Sequence, residues 1–178
     1  VRTHTVLGVD PGSRHVGLGI LRGAQILHQE ELRLDRDLTI ACSSLRLRLV
    51  HLVREYRVDV VAFESMQFRG HATANTMAVL ALTGVIRSLA DQVPVQACRV
   101  TEWRTSLLGE LPESGLDSEA WKAIVRGAVA RACAVHEDAL PPDPGGHMGD
   151  ALGIALHAMR QTVGDAADEE DTHAHADH

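Results

Sequence analysis

Cysteine is scarce in this 178-residue chain: Cys42, Cys98 and Cys133 are the three, widely separated and without a CxxC pair. An odd, scattered set argues against a disulfide framework and a thiolate zinc site. It predicts buried thiols in a reducing cytoplasm. No apolar run approaches the ~20 residues that cross a bilayer, which excludes a helical membrane span. The N-terminal stretch reads as a strand, not as a signal peptide. Lysine is almost absent, Lys122 being the single one, so arginine carries nearly all the positive charge. Residues 164–178 hold no Lys or Arg, and this acidic, histidine-rich tail carries most of the net charge of -7. It reads as disordered. Without it the body is close to neutral, so basic residues clustered on one face remain compatible with a nucleic-acid partner. No repeat or linker divides residues 1–163, which predicts one domain.

The periodicity changes along the chain. Thr5–Asp10 is a short apolar strand closed by Pro11-Gly12-Ser13. Val16–Leu21 reads as a second strand, with Gly17 and Gly19 leaving room for another backbone or a ligand. Gln25–Leu34 is a third strand, and the short turns between the three imply an antiparallel meander. Helical spacing follows over about Leu38–Tyr56. Val58–Glu64 is a nearly all-apolar strand, buried on both faces. A polar loop, a helix from Asn75 to about Asp91 and a strand over Val95–Val100 come next. Helices are then expected over Glu102–Leu108, from Asp117 or Ser118 to about Val135, and from His147 to about Gln161. The order β-β-β-α-β-α-β-α-α-α predicts the α/β class: a mixed sheet, antiparallel meander plus parallel strands, with helices on both faces.

Four separated residues then read as one metal site. Asp10 and Glu64 each end an apolar strand, at the carboxyl edge where such sheets bind ligands. Two facing carboxylates with little water repel unless a cation lies between them. Asp150 adds a third hard oxygen ligand, and His147, three residues before it, shares its helical face. Oxygen ligands with room for water favour Mg²⁺, and a paired site could activate water and stabilise a phosphodiester leaving oxygen. Taken singly, Asp10-Pro11-Gly12 also reads as a turn with an Asx cap, and His147 or Asp150 as a helix cap.

Three stretches together carry a resemblance. Leu7-Gly8-Val9-Asp10-Pro11-Gly12-Ser13 with Gly17-Leu18-Gly19, then Val61-Ala62-Phe63-Glu64, then His147-Met148-Gly149-Asp150-Ala151-Leu152-Gly153-Ile154-Ala155, resemble the RuvC family of Holliday-junction resolvases in order and spacing. The likeness covers about residues 5–160. It implies an RNase H-like fold, a homodimer, and paired Mg²⁺-dependent cuts in four-way DNA junctions for recombination and repair. It also implies a branch-migration motor as partner. Asp10, Glu64 and Asp150 match the family's metal-binding catalytic carboxylates. His147 stands where many members carry Asp and some His, and a nitrogen ligand suits Mn²⁺ as well as Mg²⁺. Arg104 and Lys122 resemble phosphate-contacting positions. Phe68 resembles the aromatic that the family places near the junction centre, with Arg69 and His71 beside it in reach of phosphate. Leu82-Thr83-Gly84 departs from the family, which often has Arg before that glycine. The Asn75–Leu89 helix, with Ala78, Ala81 and Gly84 on one flank, is the candidate dimer surface.

Two other classes stay open on the residues alone. A related RNase H-like nuclease acting on hybrid or flap substrates needs the same acids. Actin-like kinases and ATPases share the Asp-Pro-Gly turn, but need a second duplicated half for which this chain is too short.

Overall fold

A computed structural model describes residues 3–66, 73–112 and 115–174, with side chains described up to residue 162. Its sheet has five strands: β1 Thr5–Pro11, β2 His15–Arg22, β3 Gln25–Arg33, β4 Val60–Glu64 and β5 Val95–Cys98. Their spatial order is β3-β2-β1-β4-β5. The meander β1-β2-β3 is antiparallel, whereas β1-β4 and β4-β5 are parallel. The mixed α/β sheet expected from the sequence is therefore what forms.

The helices are α1 Leu38–Tyr56, α2 Ala74–Arg87, α3 Val100–Leu108, α4 Ser118–Ala132 and α5 His147–Ala174. Asp37 caps α1 by accepting from the backbone N–H of Thr39 and Ile40. Ala41, Leu45, Leu49 and Leu52 form its buried stripe. The last helix continues past the expected end at Gln161 to Ala174. Residues 162–174 contain no proline, and their Ala and Glu favour helix, so nothing local forces a stop. No helix among the described residues is long and apolar enough to cross a membrane.

Strand parity decides which layer each side chain joins, because successive residues point to opposite faces. Leu7, Val9, Val61 and Phe63 enter the core formed with α1 and α2. Val6, Val60 and Ala62 enter the core formed with α3, α4 and α5. By the same alternation Asp10 and Glu64 belong to the α5 face. β1 and β4 pair with Gly8 beside Ala62 and Val9 beside Phe63, so the two acids stand one step past the last paired residues, side by side.

The α5 face is floored with glycine. A Cβ on Gly8 would lie 1.9 Å from the Ala151 carbonyl oxygen, and one on Gly17 would lie 1.9 Å from the His147 carbonyl oxygen. The close approach that the β2 glycines suggested is thus the approach of α5 itself. Gly8→Ala is expected to destabilise the protein by about 3 kcal/mol, the upper range for overpacking a tight site, because the obstacle is rigid helix backbone. Gly84 in α2 has nothing within 4 Å of a Cβ and is the control. Gly84→Ala should leave stability unchanged or raise it by up to about 1 kcal/mol. Urea midpoints of the two variants would check this, and equal midpoints would show that α5 can shift away.

Candidate metal centre

The start of α5 is held from outside the helix. Asp143 Oδ2 accepts the Gly149 N–H at 2.8 Å, and the Asp150 N–H bonds the Gly146 carbonyl at 3.0 Å. The α4 residue Arg126 donates to the carbonyls of Glu137, Leu140 and Pro141 and so fixes the preceding loop. Lys122 Nζ donates to the Pro144 carbonyl at 2.8 Å and to Glu119 Oε1 at 2.7 Å. With the loop and helix start anchored, His147 and Asp150 reach the strand ends that carry Asp10 and Glu64.

Each acid has a different partner. Asp10 Oδ2 lies 2.7 Å from His147 Nδ1. Glu64 Oε2 accepts a hydrogen bond from the Trp103 indole at 2.9 Å. Asp150 Oδ2 lies 3.7 Å from an Arg104 Nη2. These contacts do not cancel the cost of gathering acids in a poorly hydrated place. Burial, reinforced by the charges of Asp10 and Glu64, pushes the Asp150 carboxyl up to about 7. Burial, with the Asp10 charge, also raises Glu64. The hydrogen bond to Asp10 raises His147 against the opposing effect of burial.

Among the described residues, no group of three or more His, Cys, Asp or Glu forms a metal cage as it stands. Each acid instead has a different neighbour: His147 for Asp10, Trp103 for Glu64 and Arg104 for Asp150. The donor set nevertheless fits a hard divalent cation. Burial and the neighbouring Asp10 charge raise the proton affinity of both Glu64 and Asp150, and a cation relieves that repulsion. Asp10 and Glu64 also line one side of an open cleft of about 280 Å³, with Pro11, Ser65, Met66, Val79 and Val100 around them.

No family model matches the chain. A crossover junction endodeoxyribonuclease RuvC from Salinispora arenicola is 29% identical over 170 residues, covering 87% of each chain. The solved structure of RuvC from Thermus thermophilus is 26% identical, superposes with a TM-score of 0.66, and covers 90% of this chain and 96% of that one. The chain is similar to RuvC proteins in both sequence and fold.

The Thermus thermophilus RuvC in complex with a Holliday junction substrate gives a TM-score of 0.69 at 24% identity, over 90% of this chain and 96% of that chain. The yeast mitochondrial Holliday junction resolvase Ydc2 gives 0.63 at 16% identity, over 90% and 81%, a likeness of fold. The five-stranded mixed sheet is thus the RNase H-like fold that the RuvC resemblance implied.

The expected site residues fall into three groups. Asp10, Glu64, His147 and Asp150 come together on the α5 face. Arg104 joins them through Asp150, whereas Lys122 donates to Glu119 and the Pro144 carbonyl. Phe68, Arg69 and His71 lie outside the described residues. Sequence reasoning missed His15, whose ring stacks on His147 with centroids 5.9 Å apart and whose Nδ1 lies 2.5 Å from Glu31 Oε1. A signal existed: His15 shares strand parity with Gly17 and Gly19, so it had to face α5. Asp143 was also readable as a cap, an aspartate in a Pro-rich turn before a helix. Trp103 had no such signal, because its indole meets Glu64 through packing between distant segments.

Proposed function

We propose that this chain is a structure-specific endonuclease that resolves four-way DNA junctions by divalent-metal-dependent phosphodiester hydrolysis. The observation that carries the reading is the meeting of Asp10 and Glu64 at adjacent parallel strand ends with His147 and Asp150 of α5, in a RuvC-family fold. The three carboxylates with His147 would hold two Mg²⁺ or Mn²⁺ ions. When bound, such ions lower the proton affinity of water and stabilise the leaving oxygen of the scissile phosphate. The chain's own residues do the rest. Asp143 and Arg126 fix the start of α5, and burial keeps the carboxylates poorly hydrated so that they favour a cation strongly.

Junction DNA has two-fold symmetry, and paired cuts need two equivalent sites, which a homodimer supplies. The α2 surface is the proposed contact: Met77 and Leu80 are exposed there, and Gly84 is open. Phe68, Arg69 and His71, in the segment after Glu64, are proposed to meet the junction, with Arg104 and Lys122 as further basic groups near it. Residues 1–163 are proposed as the resolvase domain and 164–178 as an acidic, histidine-rich tail. A branch-migration motor partner and a cytoplasmic location complete the proposal.

A substrate panel tests the reading. With Mg²⁺ or Mn²⁺, a synthetic four-way junction should be nicked symmetrically at least about tenfold faster than flap, single strand, linear duplex or RNA–DNA hybrid. Faster cleavage of hybrid or flap would assign the chain to a different RNase H-like nuclease.

A further inference from the structure

Both tryptophans of the chain lie on one arginine at the edge of the metal centre. The Arg104 Cζ stands 5.1 Å from the Trp103 ring centre and 4.8 Å from that of Trp121. Its Nε is buried without a hydrogen-bond partner, and its Nη2 faces Asp150 at 3.7 Å. A guanidinium held between two indole faces has little freedom, and its charge is directed along the remaining open side. The neighbouring Trp103 is fully buried and gives its only polar atom, the indole N–H, to Glu64 at 2.9 Å. Room for that ring is made on α5, where a Cβ on Gly153 would lie 2.8 Å from the Trp103 Cζ3. Two consecutive residues of α3 therefore grip two acids that arrive on different elements, Glu64 on β4 and Asp150 on α5.

We infer that Trp103 and Arg104, with Trp121 as the outer wall, form a positioning clamp that sets the orientation of Glu64 and Asp150 for cation binding. Arg104 then acts inward on Asp150, in addition to any contact with DNA phosphate. The inference rests on the metal-centre reading above. Groups that orient ligands typically contribute 10–100-fold in metal affinity when removed. The indole N–H is the part of Trp103 that a purely space-filling role does not use.

Trp103→Phe keeps an aromatic ring in the slot and removes the N–H. Mn²⁺ binding is measured by the electron paramagnetic resonance signal of free Mn²⁺, with thermal melting as the check on folding. The expected result is binding weakened about tenfold or more relative to wild type. Binding within twofold of wild type, in a folded variant, overturns the clamp. Asp10→Asn separates the two readings: if it binds Mn²⁺ as wild type does, the metal centre itself is wrongly placed. If Trp103→Phe does not fold, Trp121→Phe leaves Trp103 as the sole tryptophan, read with excitation selective for tryptophan. Its emission should then change saturably on titration with Mg²⁺, and the change should disappear when Asp10→Asn is added. Emission that does not respond to Mg²⁺ while Mn²⁺ still binds overturns the inference.

Discussion

Asp10→Asn will cut four-way junctions about a thousandfold more slowly than wild type, or not detectably, while still binding them. The side chain keeps its shape and one oxygen but loses the charge that would balance a bound divalent ion. Metal-ion stabilisation of a phosphoryl transition state amounts to several kcal/mol, and each 1.36 kcal/mol is tenfold in rate, so a loss of about 10³ follows. Junction binding depends mainly on phosphate contacts from basic side chains, which Asp10 does not supply. A second readout distinguishes this loss from misfolding. The hydrogen bond to Asp10 is the main reason that His147 titrates above its ordinary range. In Asp10→Asn the His147 resonance should therefore titrate at lower pH than in wild type, in a protein whose other signals are unchanged. Cleavage within tenfold of wild type would remove Asp10 from the reaction.

The second large effect has opposite signs with and without metal. In the metal-free protein the Asp150 carboxyl is pushed up to about 7 from an ordinary value of 3.8. A folded-state value above the unfolded one means that the folded state holds the proton more tightly. The stability it brings is complete below pH ~3.8 and is lost as pH rises through about 7. At pH 8 the ionised Asp150 is therefore a cost to the metal-free fold, partly offset by Arg104. Asp150→Asn should remove it, stabilising the metal-free protein by about 1–3 kcal/mol after allowance for partial solvent access. That raises Tm by several degrees, roughly 3–8 °C. The gain should shrink as pH falls toward 5, where wild type keeps its proton. Saturating Mg²⁺ or Mn²⁺ should reverse the order, because wild type gains stability by ligand binding and the variant gains much less. Melting curves at pH 5 and pH 8, with and without metal, contain the whole test. A variant that melts below wild type in metal-free buffer at pH 8 would show that Arg104 more than compensates the buried charge.

Much of this was legible in the chain because it depends on local pattern. The apolar runs ending at Asp10 and Glu64 mark strands and their ends, whereas their shared face followed from the register of β1 and β4. The glycines at 17 and 19 announce a close neighbour, though only the fold shows that it is α5, which also abuts Gly8. The i, i+3 spacing of His147 and Asp150 puts them on one side of a helix. What each acid touches was not legible. The Trp103–Glu64 contact spans 39 positions and the His147–Asp10 contact 137, and no periodicity reports on separations of that size.

The chain by itself therefore determined the α/β class, the strand ends that carry the carboxylates, and the kind of ion that such oxygens favour. Those properties follow from hydropathy period and donor chemistry, which belong to single segments. Only the tertiary structure decided which neighbour each acid meets: His147 for Asp10, Trp103 for Glu64 and Arg104 for Asp150. That property belongs to how β4, α3 and α5 pack together. It arises because buried carboxylates must find a partner, and the fold supplies one from whichever element lies nearest.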